Sequence, residues 1–92
     1  YVPLRREGLE HTAMMRFGYG IGIAFPPIWL ESLQVSRGFK TTLKPNMVLT
    51  VHACLELVDE GIGTMQGGTY ALLPSGELKM LVGGGDCELD VL

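Results

Sequence analysis

The run Met47-Val48-Leu49-Thr50-Val51-His52-Ala53-Cys54-Leu55-Glu56-Leu57 sets an unbroken apolar series against a mixed one at alternate positions. Met47, Leu49, Val51, Ala53, Leu55 and Leu57 fall on one side, and Val48, Thr50, His52, Cys54 and Glu56 on the other. Successive side chains of a strand alternate between two faces, so the run predicts a strand with one continuous apolar face. Met47, Leu49, Val51, Ala53 and Leu55 are expected to be buried. A single sheet cannot cover such a face by itself, so a second layer is required.

Downstream, Asp59-Glu60-Gly61 reads as a turn. Thr69 to Leu73 and Glu77 to Leu81 read as two strands around the tight turn Pro74-Ser75-Gly76, a hairpin. Gly83-Gly84-Gly85 is a joint, and residues 83–92 are expected to form a flexible acidic tail. Upstream, residues 28–46 read as a long connection, with a turn signal at Pro45-Asn46. Gly18-Tyr19-Gly20-Ile21-Gly22-Ile23-Ala24-Phe25 alternates with period two, which predicts a strand halted by Pro26-Pro27. Its small-residue face, Gly18, Gly20, Gly22 and Ala24, lets another backbone or a ligand approach closely. Leu9, Ala13 and Phe17 recur every four residues, and a short helix is expected around Leu9–Met15. The residues thus predict antiparallel β structure with at most one helix.

The chain has 92 residues, 47% of them hydrophobic and 18% charged. Disordered chains combine low hydrophobicity with high net charge, so this one is expected to fold. The length suits one small domain or a piece of a larger one, and the absence of an initiator Met is read as a fragment or a processed chain. No apolar run approaches the roughly 18–20 residues of a membrane span, and the start has no signal-peptide core. A net charge of −3 argues against a nucleic-acid partner. That charge is split: six basic and three acidic groups lie in residues 1–55, one basic and seven acidic in 56–92. The acidic part is read as a solvated face. Cys54 and Cys87 have no zinc-ligand spacing and are read as free thiols of a cytoplasmic protein, although one disulfide between them stays open.

Few motifs carry chemistry on their own. Gly18-x-Gly20-x-Gly22 lacks the third glycine and the following helix of a dinucleotide loop. Asp86-x-Glu88-x-Asp90 lacks the glycine and closing Glu of a calcium loop. His52 shares a strand face with Thr50, Cys54 and Glu56, and a histidine beside a carboxylate can move protons. Glu56 is roughly 13 Å away along the strand, however, so the two cannot touch. A lone strand histidine is more often a hydrogen-bonded core residue, and Trp29 after the proline pair is more often a loop anchor.

The order of the pieces is more specific. Gly18-Tyr19-Gly20-Ile21-Gly22, then Leu43-Lys44-Pro45-Asn46-Met47-Val48-Leu49-Thr50, then Thr69-Tyr70-Ala71-Leu72-Leu73-Pro74-Ser75-Gly76 resemble the pita-bread hydrolases, the superfamily of methionine aminopeptidase, aminopeptidase P, prolidase and creatinase. Those carry GHGIG, L-x-x-G-M-V-x-T-x-E-P-G and E-D-x-V-L-V-T-x-x-G. Arg16-Phe17-Gly18-Tyr19-Gly20-Ile21-Gly22 and Pro26-Pro27-Ile28-Trp29-Leu30-Glu31 look most like R-x-G-Y-S-I-G and P-P-D-W-G-E of ectoine hydrolase and Xaa-Pro dipeptidase-like members. The resemblance covers about residues 11–81. It implies an α+β fold, the C-terminal part of a pita-bread catalytic domain, mainly a curved antiparallel sheet.

The same resemblance shows what has been replaced. Tyr19 stands where metal-binding members have the His of GHGIG. His52 stands at the Glu of T-x-E-P-G, and Gly67 at about the Glu of the E-D pair. Glycine offers no side-chain ligand, so the usual dinuclear metal centre, and any other cofactor, is not expected. Creatinase, within this superfamily, splits a C–N bond without a metal. The resemblance therefore implies part of a metal-independent C–N hydrolase acting on a small molecule or peptide. A catalytically inactive module of the same fold, used for binding or assembly, is the alternative. On this reading Tyr19 and His52 are the candidate catalytic residues, because both exchange protons, while Gly20 and Trp29 are candidates for substrate binding. The expected partners are the remainder of a longer chain or another subunit, in a homo-oligomer, with neither nucleic acid nor membrane.

Overall fold

A computed structural model of the chain describes residues 1–13, 16–29 and 31–83. A short helix, α1 (Val2–Arg6), and a single 3-10 turn (Glu10–Thr12) precede the strands β1 (Arg16–Gly20), β2 (Gln34–Ser36), β3 (Val48–Leu57), β4 (Ile62–Leu72) and β5 (Leu78–Gly83). They form one sheet in the order β2-β1-β3-β4-β5, and every neighbouring pair is antiparallel. The architecture is thus mostly a five-stranded antiparallel sheet with little helix, compatible with a small α+β domain. Among the described residues no helix is long and apolar enough to cross a membrane.

The alternating run forms β3, and it organises the rest. Its ten residues pair without interruption to β4, from Val48 opposite Ala71 to Leu57 opposite Ile62. Asn46, at φ 68, makes the turn into β3, a left-handed conformation that Asn tolerates. Its backbone N–H bonds to the Leu72 carbonyl at 2.7 Å, which clamps the start of β3 to the end of β4. The expected turn at Asp59–Gly61 is a 3-10 turn (Val58–Glu60) closed by left-handed Gly61. The expected hairpin is β4–β5, turning at Gly76 with φ 86.

Several expectations need correction. The short helix lies at Val2–Arg6 and not around Leu9–Met15. Pro3 sits in the first turn, where its missing N–H costs nothing, and Gly8 follows with φ 71. Of the expected helical stretch, residues 10–12 form the 3-10 turn, Ala13 bridges to Leu55, and residues 14 and 15 lie outside the described set. β1 stops at Gly20 and does not run to Phe25. The Ile21 N–H reaches the Val48 carbonyl at 3.1 Å, and β3 begins there, so residues 22–25 have no strand to pair with. Ile23 is 98% exposed as a result. The supposed connection 28–46 contains β2, which pairs with β1. β4 begins seven residues before the expected Thr69.

The expected apolar face is only partly covered. Leu49 is 2% exposed, but Met47, Val51 and Leu55 are half-buried and Ala53 is open. The cross-strand partners on that face explain it: Tyr70 lies opposite Leu49, whereas Gly68, Gln66 and Thr64 lie opposite Val51, Ala53 and Leu55. The tail expected at 83–92 falls, from residue 84 onward, outside the described residues.

Candidate functional site

Antiparallel register decides which side chains meet. Tyr19 lies opposite Thr50, and His52 lies opposite Gly67. Directly paired residues share a face, so Tyr19, Thr50, His52 and Gly67 line the same side of the sheet. Cys54, two residues from His52, lies there too. They form one wall of a cleft of ≈ 770 Å³, within the range of small-molecule sites.

The contacts are specific. The Tyr19 and His52 rings meet edge to face, with centroids 5.6 Å apart. The Trp29 indole N–H donates to the Tyr19 hydroxyl at 3.3 Å, which brings the loop after the proline pair over the strand. Cys54 Sγ lies 3.3 Å from His52 Nδ1. The Thr50 hydroxyl donates to the Gly68 carbonyl at 3.3 Å, tying β3 to β4 beside the histidine. Gly67 makes room for all of this. A Cβ there would sit 2.5 Å from His52 Cβ and 2.6 Å from the Val51 carbonyl oxygen.

Three of the four residues singled out by sequence, Tyr19, His52 and Trp29, line this cleft. Gly20 lies outside its lining and faces the other way. A Cβ on Gly20 would meet Leu33 Cβ at 3.1 Å and Glu31 Cβ at 3.4 Å, so its bare face accommodates the chain's own loop. Arg16, Met65, Thr69 and Val82 also line the cleft, and sequence reasoning did not place them there. Met65 opposes Cys54 in the register, and Thr69 opposes Val82. Reading Met65 would have required the early start of β4, and reading Val82 the extension of β5 past Leu81.

Among the described lining residues there is no carboxylate, and Arg16 is the only arginine or lysine. Among the described residues no three His, Cys, Asp or Glu side chains are grouped to hold a metal ion. The dinuclear centre of the resembling hydrolases relies on bridging and terminal carboxylates, and this wall of phenol, imidazole, thiol and bare glycine does not fit it. Cys54 is a buried free thiol, while Cys87 lies outside the described residues. Compared with known proteins, the chain matches no family model, no curated protein and no solved structure.

Proposed function

We propose that this chain is part of a metal-independent C–N hydrolase of the creatinase and ectoine hydrolase type. It belongs to the C-terminal part of a pita-bread catalytic domain and acts on a small molecule or short peptide. One observation carries the reading. Positions 19, 52 and 67, picked out by their places in three separate family motifs, meet on one face of one cleft. Their chemistry has changed together, from a ligand set to a phenol, an imidazole and a gap. In this site His52 moves a proton from the attacking group to the leaving nitrogen. Tyr19, held by Trp29, offers its hydroxyl to the reacting centre. Arg16 without an opposing carboxylate on the lining favours a neutral or anionic substrate over a cation.

The test uses the natural full-length protein containing this chain, after exhaustive chelation. N-acyl diamino acids, cyclic amidines, guanidino acids and Xaa-Pro dipeptides are offered, and products are read by mass spectrometry. Cleavage of one class is expected, with His52→Ala lowering kcat by about 10²–10⁴-fold and Tyr19→Phe by less. No cleavage of any class, or turnover unchanged in His52→Ala, overturns the reading in favour of a non-catalytic module.

A further inference from the structure

The contact between Cys54 and His52 has a use beyond packing. Both side chains project from the same face of β3, two residues apart, and Sγ lies 3.3 Å from Nδ1. Cys54 is 9% exposed, and what it exposes lines the cleft. A thiol against an imidazole is the arrangement that activates a cysteine, because the imidazole accepts the thiol proton and leaves the nucleophilic thiolate. We infer that Cys54 is a covalent nucleophile of this cleft, with His52 as its base, and that the group it accepts is an acyl group.

The inference rests on the hydrolase reading for its natural substrate, not for the reactivity of the thiol. The steps balance. His52 Nδ1 takes the proton from Cys54 Sγ, and sulfur adds to the carbonyl carbon of the substrate's C–N bond. The tetrahedral adduct collapses as the C–N bond breaks, and His52 returns its proton to the leaving nitrogen. A thioester remains. Water then adds to the thioester carbon, giving up a proton to His52. The C–S bond breaks, a carboxylic acid leaves, and the thiol recovers its proton. One water is consumed and nothing is oxidised or reduced. Gly67 makes the attack possible, since any side chain there would collide with His52 and displace it from Cys54.

The test removes the other cysteine of these 92 residues with Cys87→Ser. The full-length protein is treated with p-nitrophenyl acetate under native conditions, and the acetyl group is located by peptide mass spectrometry. Acetylation at Cys54 is expected, slowed about tenfold or more in His52→Asn and in His52→Gln, each matched to the parent by circular dichroism. Equal rates with and without His52, or acetyl found only on other residues, overturn the inference. Turnover of the C–N substrate separates the two readings. If both Cys54→Ala and His52→Ala abolish it, the thioester stands. Activity retained in Cys54→Ala but lost in His52→Ala refutes the thioester and keeps the hydrolase. Histidine-dependent acetylation of Cys54 with no C–N turnover keeps the reactive thiol and refutes the hydrolase.

Discussion

The two faces of β3 have reversed the roles that their composition suggests. The odd-numbered face, Leu49 to Leu57, is apolar along its whole length, yet only Leu49 is fully buried. The even-numbered face mixes Thr50, His52 and Cys54, yet it holds the buried thiol and the Thr50–Gly68 and Cys54–His52 contacts of the cleft. The neighbouring strand makes the difference. β4 sets Thr64, Gln66 and Gly68 against the apolar face and Met65, Gly67 and Thr69 against the mixed one. A strand's own pattern therefore tells which residues share a face, while its partners decide whether that face becomes core or site.

The largest test of this contrast is made with glycines of β4. Gly67→Val places a Cβ 2.5 Å from His52 Cβ and 2.6 Å from a backbone oxygen, so β3 and β4 must part at the site. A loss of about 3 kcal/mol is expected, at the upper end of overpacking costs because rigid backbone is struck. Gly63→Ala, four residues earlier on the same strand and face, meets nothing closer than the Leu55 carbonyl at 3.7 Å. It should change stability by less than about 0.5 kcal/mol. Urea unfolding of both variants measures the difference. Equal effects would mean that Gly67 is not confined by His52.

A second pair of variants grades the apolar face itself. Leu49→Ala empties a site closed by Tyr70 across the strand and Gly20 beside it, at an expected cost of about 2–5 kcal/mol. Leu55→Ala, half-buried against Thr64, should cost about 1–2 kcal/mol. If the two cost the same, the Leu55 end of the face is covered by something beyond the described residues.

What the sequence made legible follows the same division. β3 and the β4–β5 hairpin could be read because alternation and turn residues are local signals. The first half of β4 could not, because Gly63 and Gly67 break the alternation, and the place of Gly67 is set by Val51 and His52 of β3. Residues 22–25 kept the strand pattern and lost the strand, since pairing ends where β3 begins. β2, at three residues, is shorter than any periodicity can show. At the site, Tyr19, His52 and Gly67, singled out at three separate places in the chain, lie on one side of the sheet across β1, β3 and β4. Cys54 was visible as a same-face neighbour of His52, but its orientation toward Nδ1 is a matter of side-chain packing that no spacing reveals.

The smallest expected effect concerns how the N-terminal segment is held to the sheet. Glu10 accepts two hydrogen bonds from Arg5, at 2.7 and 2.9 Å, and a third from Arg37, which follows β2. Arg37 also stacks over the Tyr1 ring at 4.4 Å, and Tyr1 meets Phe17 of β1 edge to face. The hydrogen bond from Arg5 is the main cause that lowers the Glu10 carboxyl from 4.5 to about 2, helped by the charges of Arg5 and Arg37 against partial desolvation. A carboxyl lowered on folding stabilises the folded state above its unfolded value, and that stabilisation is lost as pH falls through the folded one. The cluster lies at the surface, so salt screens it and the effect is modest. Between about pH 5 and pH 2, wild-type stability should therefore fall more steeply than that of Glu10→Gln, which has no carboxyl to protonate. Urea midpoints across that window measure the two slopes. Parallel slopes would show that Glu10 does not tie the segment down, and that the contacts of Tyr1 with Phe17 and Arg37 hold it alone.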